Sequence, residues 1–219
     1  MNFPPAGGVL RIMIYGVRLH RRAFAFACVL GLLVILVARV PTLTAFFSPP
    51  VSSDAKAAAN TALGSVNIYP SRVRVLGYQR EQFGSGWAMT VADDGAYVDT
   101  RELVIRGSVP GLDEYSGEQL VASDIEIDHV VPLAAAWDMG AWAWDAAKRR
   151  RFANDSKINL IATAAKINRE KSDHTLAEWM PPDRSRHCWY AARFLQVCAT
   201  YGLGVAERDA EAARKACQL

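Results

Sequence analysis

A chain of 219 residues with 51% hydrophobic residues and a formal net charge of +3 holds one apolar segment and a single domain of ordinary size with a full core. That composition, with six Trp, excludes a disordered or fibrous chain. The charge permits a nucleic-acid partner without announcing one, since dedicated non-specific binders carry a larger excess of Lys and Arg.

Arg11, Arg18, His20, Arg21 and Arg22 precede an apolar run from Ala23 to Val37, and beyond Arg39 the apolar character resumes from Val40 to Phe47. The first run, about 15 residues, suits the core of a signal peptide, and the whole stretch, about 25 residues with one Arg, suits a membrane-spanning helix. Residues 1–22 therefore read as a basic tail and 23–47 as a signal peptide or a transmembrane anchor. Leu43-Thr44-Ala45 puts a bulky residue where a cleavage site wants a small one, which favours a retained anchor. The basic flank would then stay in the cytoplasm, with the domain on the other side of the membrane. Residues 48–61 are rich in Pro, Ser and Ala without apolar periodicity and read as a linker. The domain then runs from 62 to 219.

Within it, Val73 to Tyr78, Val98 and Leu103 to Ile105 are short β-like segments, with Asp93-Asp94-Gly95 marking a turn. Ile125 to Leu133 alternates with period two until Pro132 stops or edges the strand. Ala134 to Phe152, which ends in basic residues, predicts a helix. A brief strand follows at Asn159 to Ala162, then helices over Ala164 to Trp179, Trp189 to Tyr201 and Ala206 to Cys217. Of the four Cys, Cys28 sits in the apolar segment. Cys188 and Cys198 stand about 15 Å apart along one predicted helix, beyond disulfide reach. A Cys188–Cys217 bridge would pin the C-terminal helix and leave Cys198 as a core residue.

Of the four His, only His129, His174 and His187 belong to the domain. His129 follows Asp128 at a strand end, a pair that alone more often makes a structural hydrogen bond than a reaction centre. Downstream come Asn159-Leu160 and Asn168-Arg169-Glu170-Lys171. With these in place the chain resembles the HNH, or ββα-metal, endonucleases, in which Asp-His-x-x-Pro, Asn-Leu and Asn-x-x-Lys follow in this order. It is similar to the HNH domain of CRISPR effector nucleases. It looks closer still to secreted bacterial proteins related to the C-terminal domain of GmrSD-type restriction enzymes, which share Gly77-Tyr78-Gln79-Arg80, Asp99-Thr100-Arg101, Tyr115-Ser116-Gly117 and Cys188-Trp189-Tyr190. Relatives commonly carry Cys before Asp-Thr-Arg where this chain has Val98, a departure that bears on the disulfide pattern rather than on the catalytic positions.

The resemblance implies an α+β fold: a small ββα-metal core over about 120–182 with an N-terminal β-rich extension and additional packed helices, preceded by one N-terminal hydrophobic helix. It implies hydrolysis of phosphodiester bonds of DNA, with RNA left open as a second substrate, and little sequence specificity is expected. His129 would be the general base, Asn159 the residue that fixes its loop, and Asp128 and Asn168 the oxygen ligands of one divalent ion, Mg²⁺ by preference. Lys171 and Arg169 would contact phosphate or lie solvated on a helix. Arg80 and Arg101 would bind phosphate or pair with Asp99 or Glu102. Two rivals remain: a surface-anchored nucleic-acid-binding module that no longer cleaves, and a zinc hydrolase using His129, His174 and Asp128, which lacks a two-His helix motif.

Overall fold

The computed structural model describes residues 51–219, which form one compact unit. The basic tail 1–22, the apolar segment 23–47, His20 and Cys28 lie outside the described residues. Among the described residues no helix is long and apolar enough to cross a membrane.

Where a linker was expected, the chain forms a helix, α1, over Ser53–Leu63. Ala has the highest intrinsic helix propensity, and Asp54 in the first turn suits the helix dipole. The small side chains that left no apolar period in the sequence let α1 approach its neighbours closely, burying Ala59 and Ala62. Strand β1, Ile68–Tyr69, pairs in parallel with β6, Val205–Ala206, so the start of the domain closes on its end. Val73 to Tyr78 forms no strand. With no partner strand beside them, these residues are held by side chains: the Val75 N–H donates to Asp138 Oδ1 at 2.9 Å, and Trp137 Nε1 donates to the Leu76 carbonyl at 3.4 Å.

Strands β2, Met89–Val91, and β3, Tyr97–Asp99, make an antiparallel hairpin that turns at Gly95, where φ is +82°. Leu103 to Ile105, expected to be extended, lie in helix α2, Thr100–Ser108. The Asp99 carboxylate accepts from the Glu102 N–H at 2.7 Å, and this N-cap overrides the β-branched composition that follows.

Strand β4, Ile125–His129, pairs antiparallel with β5, Leu160–Ala164, setting His129 opposite Leu160 and Ile127 opposite Ala162. Ile125, Ile127, Leu160 and Ala162 face a small core shared with Val104 and Leu120, while Ile161 on the other face joins the main core. The single helix expected between these strands is two, α3, Leu133–Asp138, and α4, Ala146–Ala153. Gly140 breaks it at φ +130°, and Asp145 caps α4 by accepting from the Lys148 N–H at 2.6 Å. Directly after β5 comes α5, Ala165–Lys171. It ends far short of Trp179, because Ser172 turns the chain at φ +50°.

Helices α6, His187–Tyr201, and α7, Glu207–Cys217, follow their predicted bounds within two residues, with Gly202 at φ +69° ending α6. Cys188 and Cys217 are disulfide-bonded across them, and Cys198 is a buried free thiol. Helix α1 packs on both. The result is an α+β fold in which helices back the β4–β5 hairpin and its following helix.

Candidate active site

Asp128 and His129 are successive residues at the end of β4, and each meets a different set of partners although both line one cleft. His129 is 6% exposed. Its ring stacks on Trp87 at 5.8 Å between centroids and 8° between planes, and its Nε2 lies 2.9 Å from the Ala153 carbonyl. A carbonyl only accepts, so Nε2 carries the proton and Nδ1 is the basic nitrogen. Burial lowers the imidazole pKa to about 4; the Ala153 carbonyl opposes that shift, and the charges of Arg80 and Lys171 add to it.

Asp128, 5% exposed, accepts from the Tyr115 hydroxyl at 2.7 Å and from Lys171 Nζ at 2.9 Å. The same ammonium donates to the His129 carbonyl at 2.8 Å. Burial pushes the Asp128 carboxyl up and the Lys171 ammonium down, each opposed by the charge of the other. Lys171 is 0% exposed, which corrects its expected place among the phosphate contacts. Helix α5 ends at Lys171, and the side chain runs inward beneath the strand as the counter-charge of Asp128.

Asn159, also fully buried, staples the loop that follows His129. Its Oδ1 accepts from the Val131 N–H at 3.0 Å, and its Nδ2 donates to the Phe152 carbonyl at 3.1 Å, one residue before the carbonyl that holds His129. A cleft of about 390 Å³ opens over these elements, lined among others by Arg80, Asp128, His129, Asn168, Arg169 and Asp173. Arg80 therefore stands at the cleft. Arg101 is not among its lining residues; its Nη2 reaches the Ile125 carbonyl at 3.5 Å, and Glu102, its expected partner, pairs with Arg106. His174 also lies off the cleft lining. Among the described residues no three His, Cys, Asp or Glu side chains gather where they would hold a metal, which removes the zinc set of His129, His174 and Asp128.

A hard divalent ion would take oxygen donors, and Asp128 and Asn168 on the cleft lining carry oxygens of that type. Asn168 Nδ2 donates to Glu126 Oε2 at 2.8 Å, so its Oδ1 remains an uncommitted oxygen donor. The Asp128 oxygens keep lone pairs beyond those given to Tyr115 and Lys171. One carboxylate and one amide oxygen, with room left for water and phosphate, fit Mg²⁺ chemistry.

Residues 94–216 match the family described as the C-terminal domain of GmrSD restriction endonucleases. The chain belongs to this family. The matched span runs from the β2–β3 turn through most of α7 and includes Asp128, His129, Asn159 and Asn168, while Arg80 and Trp87 lie ahead of it. Membership makes this a nuclease-like domain. A relative from Arthroderma benhamiae described as an uncharacterized secreted protein is 30% identical over 200 residues, covering 86% of this chain and 95% of the relative. No solved structure matches significantly.

Neither Trp87 nor the Ala153 carbonyl is marked in the sequence. Tyr115 stands there within Tyr-Ser-Gly, with nothing to give it a place at the site. Only the Tyr-Ser-Gly signature carried a usable signal, since a backbone carbonyl has no residue identity to read.

Proposed function

We propose that the domain is an HNH-type endonuclease that hydrolyses phosphodiester bonds, mainly of DNA, with His129 as general base and Asp128 and Asn168 as ligands of one Mg²⁺. The observation that carries this reading is the 2.9 Å contact of His129 Nε2 with the Ala153 carbonyl, which makes Nε2 the donor and leaves Nδ1 basic on a residue that lines a cleft with Asp128 and Asn168. Nδ1 takes a proton from the attacking water. The Ala153 carbonyl steadies the imidazolium that forms, and Trp87 keeps the ring from turning. An anionic phosphate entering the cleft raises the depressed imidazole pKa back toward neutrality, where a base works best. Arg80 and Arg169 hold the phosphate. A bound divalent ion would supply positive charge for the developing oxyanions. Low sequence specificity is expected, because the proposed contacts are to phosphate, which carries no sequence information.

Export accompanies this reading. The basic flank and apolar segment at the start of the chain, the disulfide and the secreted description of the relative all suit a domain that works outside the cytoplasm. Whether the segment is cleaved or retained sets release against anchoring, and sizing the protein before and after export distinguishes them.

Plasmid degradation with Mg²⁺ tests the mechanism. His129→Ala should abolish cleavage while the protein still folds, and EDTA should abolish it in the wild type. Unchanged cleavage by His129→Ala would overturn the assignment of the base. Absence of cleavage by the wild type on every DNA and RNA offered would favour the non-cleaving binding module.

A further inference from the structure

We infer that Glu126 is a positioning residue that turns the amide of Asn168 so that its oxygen, not its nitrogen, is presented to the cation site; this rests on the nuclease reading above. Glu126 lies two residues before Asp128 on the same strand face, outside the cleft lining, and Asn168 lies on the helix packed against that strand. Glu126 Oε2 is 2.8 Å from the Asn168 nitrogen, and its Oε1 is 3.4 Å from Arg169 Nη1. An ionised carboxylate only accepts hydrogen bonds, so the end of the amide that meets it has to be Nδ2, and Oδ1 is left to face away.

An amide side chain is nearly symmetric in shape, and without such a partner its two ends exchange places at little cost. Turned the wrong way, Asn168 would aim two N–H groups at a cation. Glu126 removes that alternative. It also ties α5 to β4 two residues from Asp128, so a single side chain sets both the orientation of one proposed ligand and its spacing from the other. Arg169 Nη1 gives the second carboxylate oxygen a partner of its own at 3.4 Å.

The test is Mn²⁺ binding to the folded, disulfide-bonded protein without substrate, followed by electron paramagnetic resonance, with urea midpoints confirming that each variant is folded. Glu126→Ala should weaken Mn²⁺ binding by about 10–100-fold, the usual effect of removing a group that orients a ligand. Glu126→Gln can donate as well as accept, so it no longer forces one end of the Asn168 amide inward and should recover only part of the affinity. In the Asn168→Asp background both ends of the side chain are oxygens, so no orientation needs fixing. Glu126→Ala should then cost far less than in the wild-type background, leaving only the small loss of a nearby negative charge. Unchanged affinity in Glu126→Ala while the wild type binds Mn²⁺ would overturn the inference and leave the nuclease reading standing. An equal loss in the Asn168→Asp background would show Glu126 acting as a ligand or by charge alone and would also overturn it. A wild type that binds no Mn²⁺ would overturn both together.

Discussion

Replacing Lys171 with Met tests the least expected feature of the site. In the wild type the ammonium is fully buried, donates to Asp128 and to the His129 carbonyl, and has no route to solvent. Met fills a similar volume but leaves the buried Asp128 carboxylate without its counter-charge, with the Tyr115 hydroxyl and the His129 backbone as remaining partners. Breaking a buried ion pair from one side costs about 3–5 kcal/mol, and the surviving Tyr115 bond places the expected loss near the lower end, about 3 kcal/mol. At roughly 2–4 °C per kcal/mol for a domain of this size, the melting temperature should fall by about 6–12 °C. Urea unfolding of the oxidised protein measures the loss. Asp128→Asn combined with Lys171→Met should recover much of it, because the stranded charge is gone. A change below about 0.5 kcal/mol, the range of ordinary surface substitutions, would refute the burial argument. Lys171 would then be an exposed phosphate contact, and the salt dependence of substrate binding would change instead of the stability.

Three further outcomes follow from the same geometry. The folded His129 pKa of about 4 lies below the 6.5 of an unfolded chain. Its stabilising contribution is therefore complete above about pH 6.5 and is lost as pH falls toward 4, about 3 kcal/mol in all. Urea midpoints at neutral and acid pH should show the loss, and His129→Gln should shrink it. Trp87→Ala should lower turnover by about 10–100-fold with little change in KM, by freeing the imidazole to tilt, whereas Trp87→Phe should retain most activity; a change confined to KM would make Trp87 a substrate contact instead. Reduction of the Cys188–Cys217 bond, which spans 29 residues, should cost about 3–4 kcal/mol of stability, read as a lower urea midpoint in reductant. An unchanged midpoint would mean that α7 docks without the bond.

Asp128, His129, Asn159 and Asn168 stood out in the sequence because few residue types perform this chemistry and because their order follows one hairpin and the helix after it. Their surroundings were less legible for specific physical reasons. Lys171 shares the Asn-x-x-Lys spacing of a surface contact, and only the turn at Ser172 and the partner beneath β4 decide that it points inward. Trp87 reaches His129 from a loop more than forty residues earlier, a distance that no local period records. Leu103 to Ile105 look like strand because they are apolar and partly β-branched, yet the cap at Asp99 settles them as helix. Helix α1 was hidden because Ala is buried by virtue of its smallness and leaves no hydrophobic stripe.

The domain is clasped by its own ends. Helix α1 lies on α6 and α7, β1 pairs with β6, and Lys56 Nζ donates to the Gln218 carbonyl at 2.7 Å. Tyr115, which bonds Asp128, packs edge-on against Trp189 and Tyr190 of α6. Residues 187–217 supply no residue of the motif yet form the wall behind Tyr115, so loosening α6 would loosen the Asp128 pocket without touching the motif itself.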